Sequence, residues 1–307
     1  MHMAVKSSKP NRRRFIFSCF VFIFFLCVFA SINQVRFNGI LKFGRFALSN
    51  ESLPTNEEEV RILISVLTIP DQYLRRHFLR LVYGTQTYEG AKVDVKFVLC
   101  NLTKEDQKVM VGLEIMRYND IIILNCTENM NKGKTSTFFT TLPDIFNGVG
   151  PYPPYHYVMK ADDDTYVRLN SLVMSLRPLP REDLYYGFVI PCGSMDPFKH
   201  YMSGMGFVVS WDIVEWIHGS DIPKKHVEGP EDKVFGDWMR WGRRGNNRYN
   251  AKWYMYNYPD PPSVCSHQLW NDTIAVHLLK NQDKWIRTLT FFNHTHPLNP
   301  SKMYHTC

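Results

Sequence analysis

The sequence YVMKADDDTYVR, residues 157–168, places three adjacent aspartates directly after one apolar run and directly before another. Aspartate is depleted in strands, and like charges that are held side by side destabilise a sheet. The preceding residues, YHYVMK (155–160), are typical of a buried strand. The triplet therefore raises the question of what compensates three carboxylates at the end of such a strand.

Upstream of the triplet, apolar runs alternate with segments of helical spacing. The strand-like runs are VRILISVLTI (60–69), VDVKFVLC (93–100) and DIIILN (120–125), and the helical segments are YLRRHFLRLVYG (73–84), TKEDQKVMVGLEIMRY (103–118) and KTSTFFTTLPDIF (134–146). We expect Thr103 to be an N-cap. Strands that are apolar throughout and alternate with helices indicate a parallel sheet covered on both faces. The first half is therefore predicted to be an α/β sandwich.

Downstream of the triplet the pattern is less regular, with short strands, many aromatic residues and Gly-rich turns. The clearest strand-like runs are LYYGFVI (184–190), SGMGFVVS (203–210) and KWYMYNYP (252–259). Open α/β sheets bind ligands outside the carboxyl ends of their strands. The aspartate triplet lies at such an end, so we expect a ligand site there.

The net charge of +7 is concentrated at the N-terminus of this 307-residue chain, whereas the body from Val60 onward is nearly balanced. That distribution argues against a nucleic-acid groove, which requires Lys and Arg on the folded part. Residues 1–14 are basic and 15–32 carry no charge, which predicts a cytosolic tail and a single transmembrane signal anchor. A cleaved signal peptide is the alternative. Residues 33–59 are interpreted as a stem and 60–307 as a lumenal domain, so the expected location is the Golgi or endoplasmic reticulum membrane.

Two further features favour the secretory pathway. N-glycosylation sequons begin at five asparagines, more than the roughly two expected by chance; they are Asn50, Asn101, Asn125, Asn271 and Asn293. Five of the seven cysteines lie outside the predicted anchor and are widely spaced, which favours disulfides over a zinc site. They are Cys100, Cys126, Cys192, Cys265 and Cys307, whereas Cys19 and Cys27 lie in the anchor.

The triplet Asp162, Asp163 and Asp164 has four interpretations. One aspartate could be the N-cap of a helix formed by VRLNSLVMSL (167–176), with the others favoured by the helix dipole. An EF-hand loop lacks its Gly and its final Glu, and a dehalogenase-type phosphatase motif is interrupted by Tyr166. The fourth interpretation is a site for Mg²⁺ or Mn²⁺ held against a diphosphate, because both cations prefer oxygen ligands.

A second acidic site occurs in EGPEDKVFG, residues 228–236. Glu231 and Asp232 follow Gly-Pro and are predicted to begin a helix, where a capping role is the simplest interpretation. Two separate acidic sites in an α/β protein are also what a metal site and a group for acid–base catalysis would require. A phosphate-binding loop before Gly133 is excluded, because Glu128 stands where that motif requires Gly.

Taken in order, KADDDTYV (160–167), YMSGMGFVVS (201–210) and EGPEDKVFG resemble the β-1,3-glycosyltransferases of glycosyltransferase family 31. The segments RRHFLRLVYG (75–84) and YNDIIILNCTENMNKGKTSTF (118–138) are similar to further stretches of that family, so the resemblance covers about Val60 to Leu279. It implies a GT-A fold, a Rossmann-like α/β/α sandwich with a mostly parallel central sheet. It also implies a UDP-sugar donor, UDP-galactose or UDP-N-acetylglucosamine, inversion at the anomeric carbon, and a glycan or glycoprotein acceptor.

The resemblance implies a role for each matching residue. Asp162, Asp163 and Asp164 correspond to the Asp-x-Asp element, with Asp164 binding Mn²⁺ and the other two contacting the nucleotide or metal-bound water. Asp162 and His277 are further metal ligands; a buried core histidine is the alternative for His277. The general base is Asp232, and its neighbour Glu231 supports it or binds the acceptor, while Lys134 approaches the donor. The cation stabilises the charge on the departing UDP.

The chain departs from the family pattern at two places. Lys233 replaces the Val of Glu-Asp-Val, although Gly236 keeps its position, and Val82-Tyr83 replaces Thr-Trp. An ammonium next to the base could depress the pKa of Asp232 or point away from it. A non-catalytic, membrane-anchored glycan-binding or partner subunit with the same fold is therefore the alternative function. A secreted metal-dependent hydrolase would require more His or carboxylate ligands than the sequence offers.

Overall fold

The computed structural model describes residues 59–146 and 152–296 of the chain. The helices are α1 (Tyr73–Gly84), α2 (Glu105–Tyr118), α3 (Lys134–Ile145), α4 (Leu169–Leu176), α5 (Trp211–Gly219), α6 (Asp221–Lys225), α7 (Glu231–Trp241) and α8 (Gln282–Phe291). The strands are β1 (Val60–Leu67), β2 (Ala91–Leu99), β3 (Ile121–Ile123), β4 (Tyr157–Asp162), β5 (Tyr166–Val167), β6 (Leu184–Ile190), β7 (Tyr201–Ser210), β8 (Asn247–Asn250), β9 (Met255–Asn257) and β10 (Ala275–His277).

Seven strands form one sheet in the order β3-β2-β1-β4-β7-β6-β8. Neighbouring strands run parallel except at β7, which is antiparallel to both β4 and β6. A smaller sheet has the order β5-β10-β9, in which β10 is antiparallel to β5 and parallel to β9. The expected mostly parallel central sheet is therefore confirmed.

Both faces of the large sheet are covered, as the uninterrupted apolar run of β1 predicts. Ile62, Ile64 and Val66 belong to one buried cluster, together with side chains of α1, α4 and α8. Leu63 and Leu67 belong to a second buried cluster, with side chains of α3, α5 and α7. Alternate residues of a strand point to opposite faces, so the two clusters are the two layers of an α/β sandwich.

The strand order reverses between β1 and β4. From β1 the chain proceeds outward to β2 and β3, and it then returns to place β4 on the other side of β1. Leu67 at the end of β1 is paired with Asp162 at the end of β4. Open α/β sheets bind ligands at the carboxyl ends of strands beside such a reversal. The aspartate triplet lies at that position.

Two helix starts differ from the sequence predictions. The N-cap of α2 is Lys104 rather than Thr103. The Gln107 side chain accepts hydrogen bonds from the Thr103 and Lys104 amides at 3.1 and 3.2 Å, so it joins the chain before the helix to the first turn. The N-cap of α4 is Arg168, and β5 separates that helix from the aspartates. The N-cap interpretation of the triplet is therefore wrong.

Four of the cysteines form disulfides, as their spacing predicts: Cys100 is bonded to Cys126, and Cys192 to Cys265. Within residues 59–146 and 152–296, no helix is both long and apolar enough to span a bilayer. The predicted tail, the anchor and all but the last residue of the predicted stem lie outside the described residues, as do Asn50 and Cys307.

Candidate metal centre and active site

Asp162, Asp164 and His277 each present a ligand atom, and these atoms all lie within 4.8 Å of one another. Nε2 of His277 is 3.2 Å from Oδ1 of Asp164 and 3.6 Å from Oδ2 of Asp162. Asp162 ends β4, Asp164 follows in the next turn, and His277 ends β10. The three residues predicted as metal ligands are thus side by side.

The small sheet explains why a histidine so late in the sequence reaches the triplet. Val276 in β10 is paired with Tyr166 in β5, which begins just after the aspartates. Beyond the strand, the Leu279 amide donates a hydrogen bond to the carbonyl oxygen of Asp164 at 3.0 Å. This pairing places the end of β10 beside the end of β4.

Asn257 fixes the orientation of the His277 ring. The two residues are paired between β9 and β10, and Oδ1 of Asn257 is 2.8 Å from Nδ1 of His277. This contact occupies Nδ1 and leaves Nε2 as the ring nitrogen that faces the two carboxylates. Metal-binding histidines commonly have such a hydrogen bond on the second ring nitrogen. The alternative of a buried core histidine does not account for this polar environment.

The charges around Asp164 favour its carboxylate form. Burial alone would raise the pKa of Asp164, but His277 and Lys280 outweigh that effect and hold this pKa well below its usual range. The Lys280 ammonium lies 3.0 Å from Oδ2 of Asp164. That contact lacks hydrogen-bond geometry, so Oδ2 is a buried oxygen without a hydrogen-bond partner. A carboxylate with unused acceptor capacity, a second carboxylate and an imidazole suit a divalent cation such as Mn²⁺.

Asp163 is turned toward the end of β1 rather than toward His277. Its Oδ2 accepts a hydrogen bond from the Thr68 hydroxyl at 2.5 Å. Burial raises the pKa of Asp163, with Asp164 and Asp162 acting in the same direction and the Thr68 hydrogen bond opposing it. The contact of Asp163 with the donor nucleotide remains a prediction.

Glu231 and Asp232 are the first two residues of α7, as predicted, and neither makes a side-chain N-cap hydrogen bond. Both oxygens of Glu231 have partners: Oε1 is 2.6 Å from Nζ of Lys160, and Oε2 accepts from the Thr135 hydroxyl at 3.3 Å. Asp232 is half-buried, and its Oδ2 accepts a hydrogen bond from the Gly204 amide at 3.3 Å. The two acidic residues therefore face different surroundings.

Lys160 is the site residue that the sequence analysis missed. It is fully buried, and Nζ donates to Oδ1 of Asp162 at 2.7 Å, to Oε1 of Glu231 and to the Gly204 carbonyl oxygen. Burial lowers the pKa of Lys160, but Asp162 and Glu231 outweigh burial and raise it overall. A lysine within an apolar strand next to the triplet was the signal that could have identified it.

Lys134, predicted to approach the donor, is the first residue of α3 and is buried. Its ammonium donates hydrogen bonds to Oε2 of Glu128 at 2.6 Å and to the Thr68 carbonyl oxygen at 2.5 Å. Burial lowers the pKa of Lys134, and Glu128 opposes this effect. Lys134 thus lies beside the Thr68 and Asp163 end of the site with its ammonium bound to protein groups.

Lys233 does not interact with Asp232 through its side chain. Nζ of Lys233 is 2.9 Å from Oδ2 of Asp237, one turn further along α7, while only its backbone amide donates to Oδ1 of Asp232. The departure from the family pattern therefore produces a surface ion pair one turn away from the predicted base.

Part of the chain matches the model of a known protein family. A family model described as galactosyltransferase matches residues 74–195, a range that includes the aspartate triplet but not Asp232 or His277. The beta-1,3-galactosyltransferase pvg3 of Schizosaccharomyces pombe is 24% identical, with 77% of this chain and 76% of that protein aligned. Beta-1,3-galactosyltransferase 6 of Mus musculus is 23% identical over 58% of this chain and 59% of its own length.

A third relative is the human lactosylceramide 1,3-N-acetyl-beta-D-glucosaminyltransferase, 26% identical over 55% of this chain and 45% of its own length. The chain therefore spans about three quarters of the yeast relative but only about half of several others.

Solved structures with partial likeness are also glycosyltransferases. The galactosyltransferase LgtC, solved with donor and acceptor sugar analogues, has a TM-score of 0.41 at 10% identity over 79% of this chain and 98% of its own. The mannosyltransferase PcManGT of Pyrobaculum calidifontis, solved with GDP-Man and Mn²⁺, has a TM-score of 0.42 at 13% identity over 86% and 71%.

The family resemblance read from the motifs is confirmed by the family model and by the curated relatives. Residues 74–195 match the galactosyltransferase family model, and the chain is similar to named beta-1,3-galactosyltransferases and 1,3-N-acetylglucosaminyltransferases.

Proposed function

We propose that this protein is an inverting, metal-dependent glycosyltransferase with a GT-A fold. It transfers a hexose, galactose or N-acetylglucosamine, from a UDP-sugar to a hydroxyl of a glycan or glycoprotein, and it forms a β-1,3 linkage. The names of the curated relatives support this reaction class.

One observation carries the proposal: a metal-binding group and a candidate base meet at the strand-order reversal of the sheet. Asp162, Asp164 and His277 converge there. The Gly204 carbonyl oxygen lies 2.6 Å from Nζ of Lys160, which contacts Asp162, and the Gly204 amide donates to Asp232. Through Gly204 in β7 and Lys160, the metal-binding carboxylate of Asp162 is thus connected to Asp232 at the start of α7.

In the proposed reaction Asp232 accepts the proton of the acceptor hydroxyl through a carboxylate oxygen. The acceptor oxygen then forms a bond to the anomeric carbon while the bond from that carbon to the UDP oxygen breaks, which inverts the configuration. Asp232 suits this role because it is half-buried and accepts hydrogen bonds from two backbone amides, those of Lys233 at 2.8 Å and Gly204 at 3.3 Å, while no cation among the described residues pairs with its carboxylate. Thr68 holds Asp163 in place at the edge of the same site.

Asp162, Asp164 and His277 would hold the cation, whose charge stabilises the departing diphosphate when it is bound. Asn257 keeps Nε2 of His277 directed at the two carboxylates. Lys280, whose ammonium is exposed and pairs with Asp164, adds positive charge at the mouth of the site. These side chains would bind the diphosphate end of the donor.

We place the protein in the Golgi membrane, or in that of the endoplasmic reticulum, as a single-pass type II protein. The uncharged run 15–32 behind a basic tail supports this topology, and the two disulfides agree with a lumenal body. Protease treatment of sealed microsomes tests it. The folded domain is expected to be protected until detergent is added, and digestion without detergent contradicts the topology.

Activity is tested with the whole chain in detergent, by measuring UDP release and transfer with UDP-galactose, UDP-N-acetylglucosamine and other UDP-sugars in Mn²⁺. We expect Asp164→Ala to abolish turnover and Mn²⁺-dependent UDP binding. Asp232→Asn is expected to retain UDP binding and to lower kcat by about 10²-fold or more. Asp237→Asn, which removes an acid from the same helix, is the matched control and is expected to retain turnover.

Two results would contradict the proposal. Near-normal turnover of Asp232→Asn would exclude that residue as the base. A folded wild-type chain that binds UDP and Mn²⁺ but turns over no UDP-sugar would instead favour the alternative of a non-catalytic, membrane-anchored glycan-binding or partner subunit.

A further inference from the structure

The Lys160 ammonium connects parts of the site that are far apart in sequence. Its three contacts are Oδ1 of Asp162 at 2.7 Å, Oε1 of Glu231 at 2.6 Å and the Gly204 carbonyl oxygen at 2.6 Å. An ammonium has three protons, so these contacts use its full donor capacity. Lys160 has no exposed surface, so the ammonium is enclosed by the protein.

Gly204 is necessary for this arrangement. A β-carbon at that position would lie 2.3 Å from Oε1 of Glu231 and 3.3 Å from Nζ of Lys160. The same residue donates its amide hydrogen to Oδ2 of Asp232. Gly204 thus contacts Lys160 through its carbonyl group and the predicted base through its amide, and only a residue without a side chain leaves space for Glu231.

Glu231 is positioned to support Asp232 rather than to act as the general base. Its side chain is 11% exposed, and its two oxygens contact Lys160 and the Thr135 hydroxyl. A general base requires an oxygen that the acceptor hydroxyl can reach. Glu231 is paired with the buried Lys160 ammonium, whereas Asp232 accepts from the backbone amides of Gly204 and Lys233 and carries no such ion pair within residues 59–146 and 152–296.

We propose that Lys160, Glu231 and Gly204 are positioning residues that join the metal-binding carboxylate of Asp162 to the first turn of α7, which carries Asp232. This inference rests on the proposed function. Lys160 has two effects: it occupies one oxygen of Asp162, leaving the other for a cation, and it anchors the helix end that presents the base. Charge on Lys160 also opposes the binding of a second cation nearby.

Glu231→Gln and Glu231→Ala separate position from charge. The amide oxygen of Gln still accepts a hydrogen bond from Lys160, and the Thr135 hydroxyl accepts one from the amide nitrogen. We therefore expect Glu231→Gln to retain kcat within about threefold, whereas Glu231→Ala loses about tenfold or more because α7 is no longer held in place. The donor KM and the Mn²⁺ dissociation constant are expected to change less than about twofold in both.

Gly204→Ala breaks the same connection from the other side, because the new methyl group displaces the Glu231 carboxylate. We expect a loss of kcat similar to that of Glu231→Ala, again with an unchanged donor KM. Thermal unfolding of each variant identifies any that fail to fold.

The effect of Lys160→Met is measured by titrating the protein with Mn²⁺ and detecting the bound ion by electron paramagnetic resonance. This measurement requires no turnover. Removal of the ammonium frees Oδ1 of Asp162 and eliminates a repulsive charge, so we expect Mn²⁺ to bind at least about threefold more tightly while kcat falls by about tenfold or more. A purely structural lysine would weaken metal binding and turnover together.

Three outcomes overturn the proposal: Glu231→Gln as inactive as Glu231→Ala, wild-type kcat in Gly204→Ala, or unchanged or weaker Mn²⁺ binding in folded Lys160→Met. If Lys160→Met does not fold, the proposal is tested by the kcat values of Glu231→Gln, Glu231→Ala and Gly204→Ala. If the wild-type chain turns over no UDP-sugar, the proposed function fails. The Mn²⁺ titrations still show in that case whether Lys160 limits metal binding at Asp162.

Discussion

Nε2 of His277 lies 3.2 Å from Oδ1 of Asp164, although Asp164 follows a strand of the large sheet and His277 ends a strand of the small one. The metal-binding group therefore depends on how the two sheets meet, and on the side chain that orients the imidazole.

Metal binding is expected to depend on Asn257 as well as on His277. His277→Ala removes a ligand, and Asn257→Ala removes the hydrogen bond that directs Nε2 toward the carboxylates. The loss of such an orienting partner lowers metal affinity about 10- to 100-fold, so Asn257→Ala should weaken Mn²⁺ binding by at least about tenfold. Titration with Mn²⁺ measures this. The control is His218→Ala, at a half-buried histidine on α5 outside the site. Equal affinity in Asn257→Ala and wild type would contradict the prediction.

The stability of the domain should depend on pH through Glu114. This side chain is 1% exposed and binds the guanidinium groups of Arg76 and Arg80 at 2.6 Å. Burial raises the pKa of Glu114, but the two arginines outweigh burial and lower the pKa overall. A depressed native pKa contributes to stability above the unfolded-state value, about 4.3, and this contribution is lost as the pH falls toward the native value.

We therefore expect Glu114→Gln to lower the free energy of unfolding by about 3 kcal/mol at neutral pH, because it leaves the buried Arg76 guanidinium without its carboxylate, whereas Arg80 keeps its pair with Asp120. The difference from wild type should shrink below about pH 4. Urea unfolding across pH measures both effects. Glu105→Gln on the same helix, where the glutamate is 82% exposed, is the control, and a pH-independent difference for Glu114→Gln would refute the explanation.

The packing of α7 on β7 should not tolerate a methyl group at Gly236. A β-carbon there would lie 2.2 Å from Cβ of Tyr201, an atom that cannot move independently of its backbone. Overpacking of this kind costs about 1–3 kcal/mol, so Gly236→Ala is expected to lower the melting temperature and, because α7 carries Asp232, kcat.

Gly112 provides the opposite case, because it lies within α2 and a β-carbon added there would have no neighbouring atom within 4 Å. Gly112→Ala is expected to raise stability by up to about 1 kcal/mol through helix propensity alone. Destabilisation in both variants, or in neither, would mean that the close approach of α7 to Tyr201 is not what limits position 236.

Replacing Lys233 with the Val of the family pattern should have little effect. The ammonium pairs with Asp237 at an exposed position, and surface ion pairs of this kind contribute about 0–1 kcal/mol. We expect Lys233→Val to keep kcat within about threefold and the pH–rate profile unchanged. A displaced acidic limb in that profile would show that Lys233 acts on Asp232 after all.

The sequence predicts those parts of the fold that depend on local pattern. Alternating apolar strands and amphipathic helices indicated the sandwich, and the position of the triplet after a buried strand indicated the site at the sheet edge. The helix start at Glu231 followed from Gly-Pro and two acids. Only the family resemblance connected His277 with Asp164, because the pairing of β5 with β10 leaves no local signal.

Lys160 illustrates what sequence pattern alone does not convey. Its neighbours in β4 are apolar, and its partners Glu231 and Gly204 lie 71 and 44 residues away. A buried lysine is stable only with such partners, but the carboxylate of Glu231 reaches it because α7 packs on β7, the strand antiparallel to β4. The N-cap at Arg168 was missed for a similar reason, since the two-residue strand β5 forms only because β10 lies beside it.

The late position of β10 has a consequence for biosynthesis. Chains leave the ribosome from the N-terminus, so Asp162 and Asp164 are made long before His277, and the complete set of three ligands exists only once β10 has been added to β5. A nascent chain that has folded the large sheet but not the small one presents paired carboxylates without their imidazole. Tight manganese uptake is thus expected to mark the end of folding rather than to initiate it, and it would distinguish finished molecules from partly folded ones.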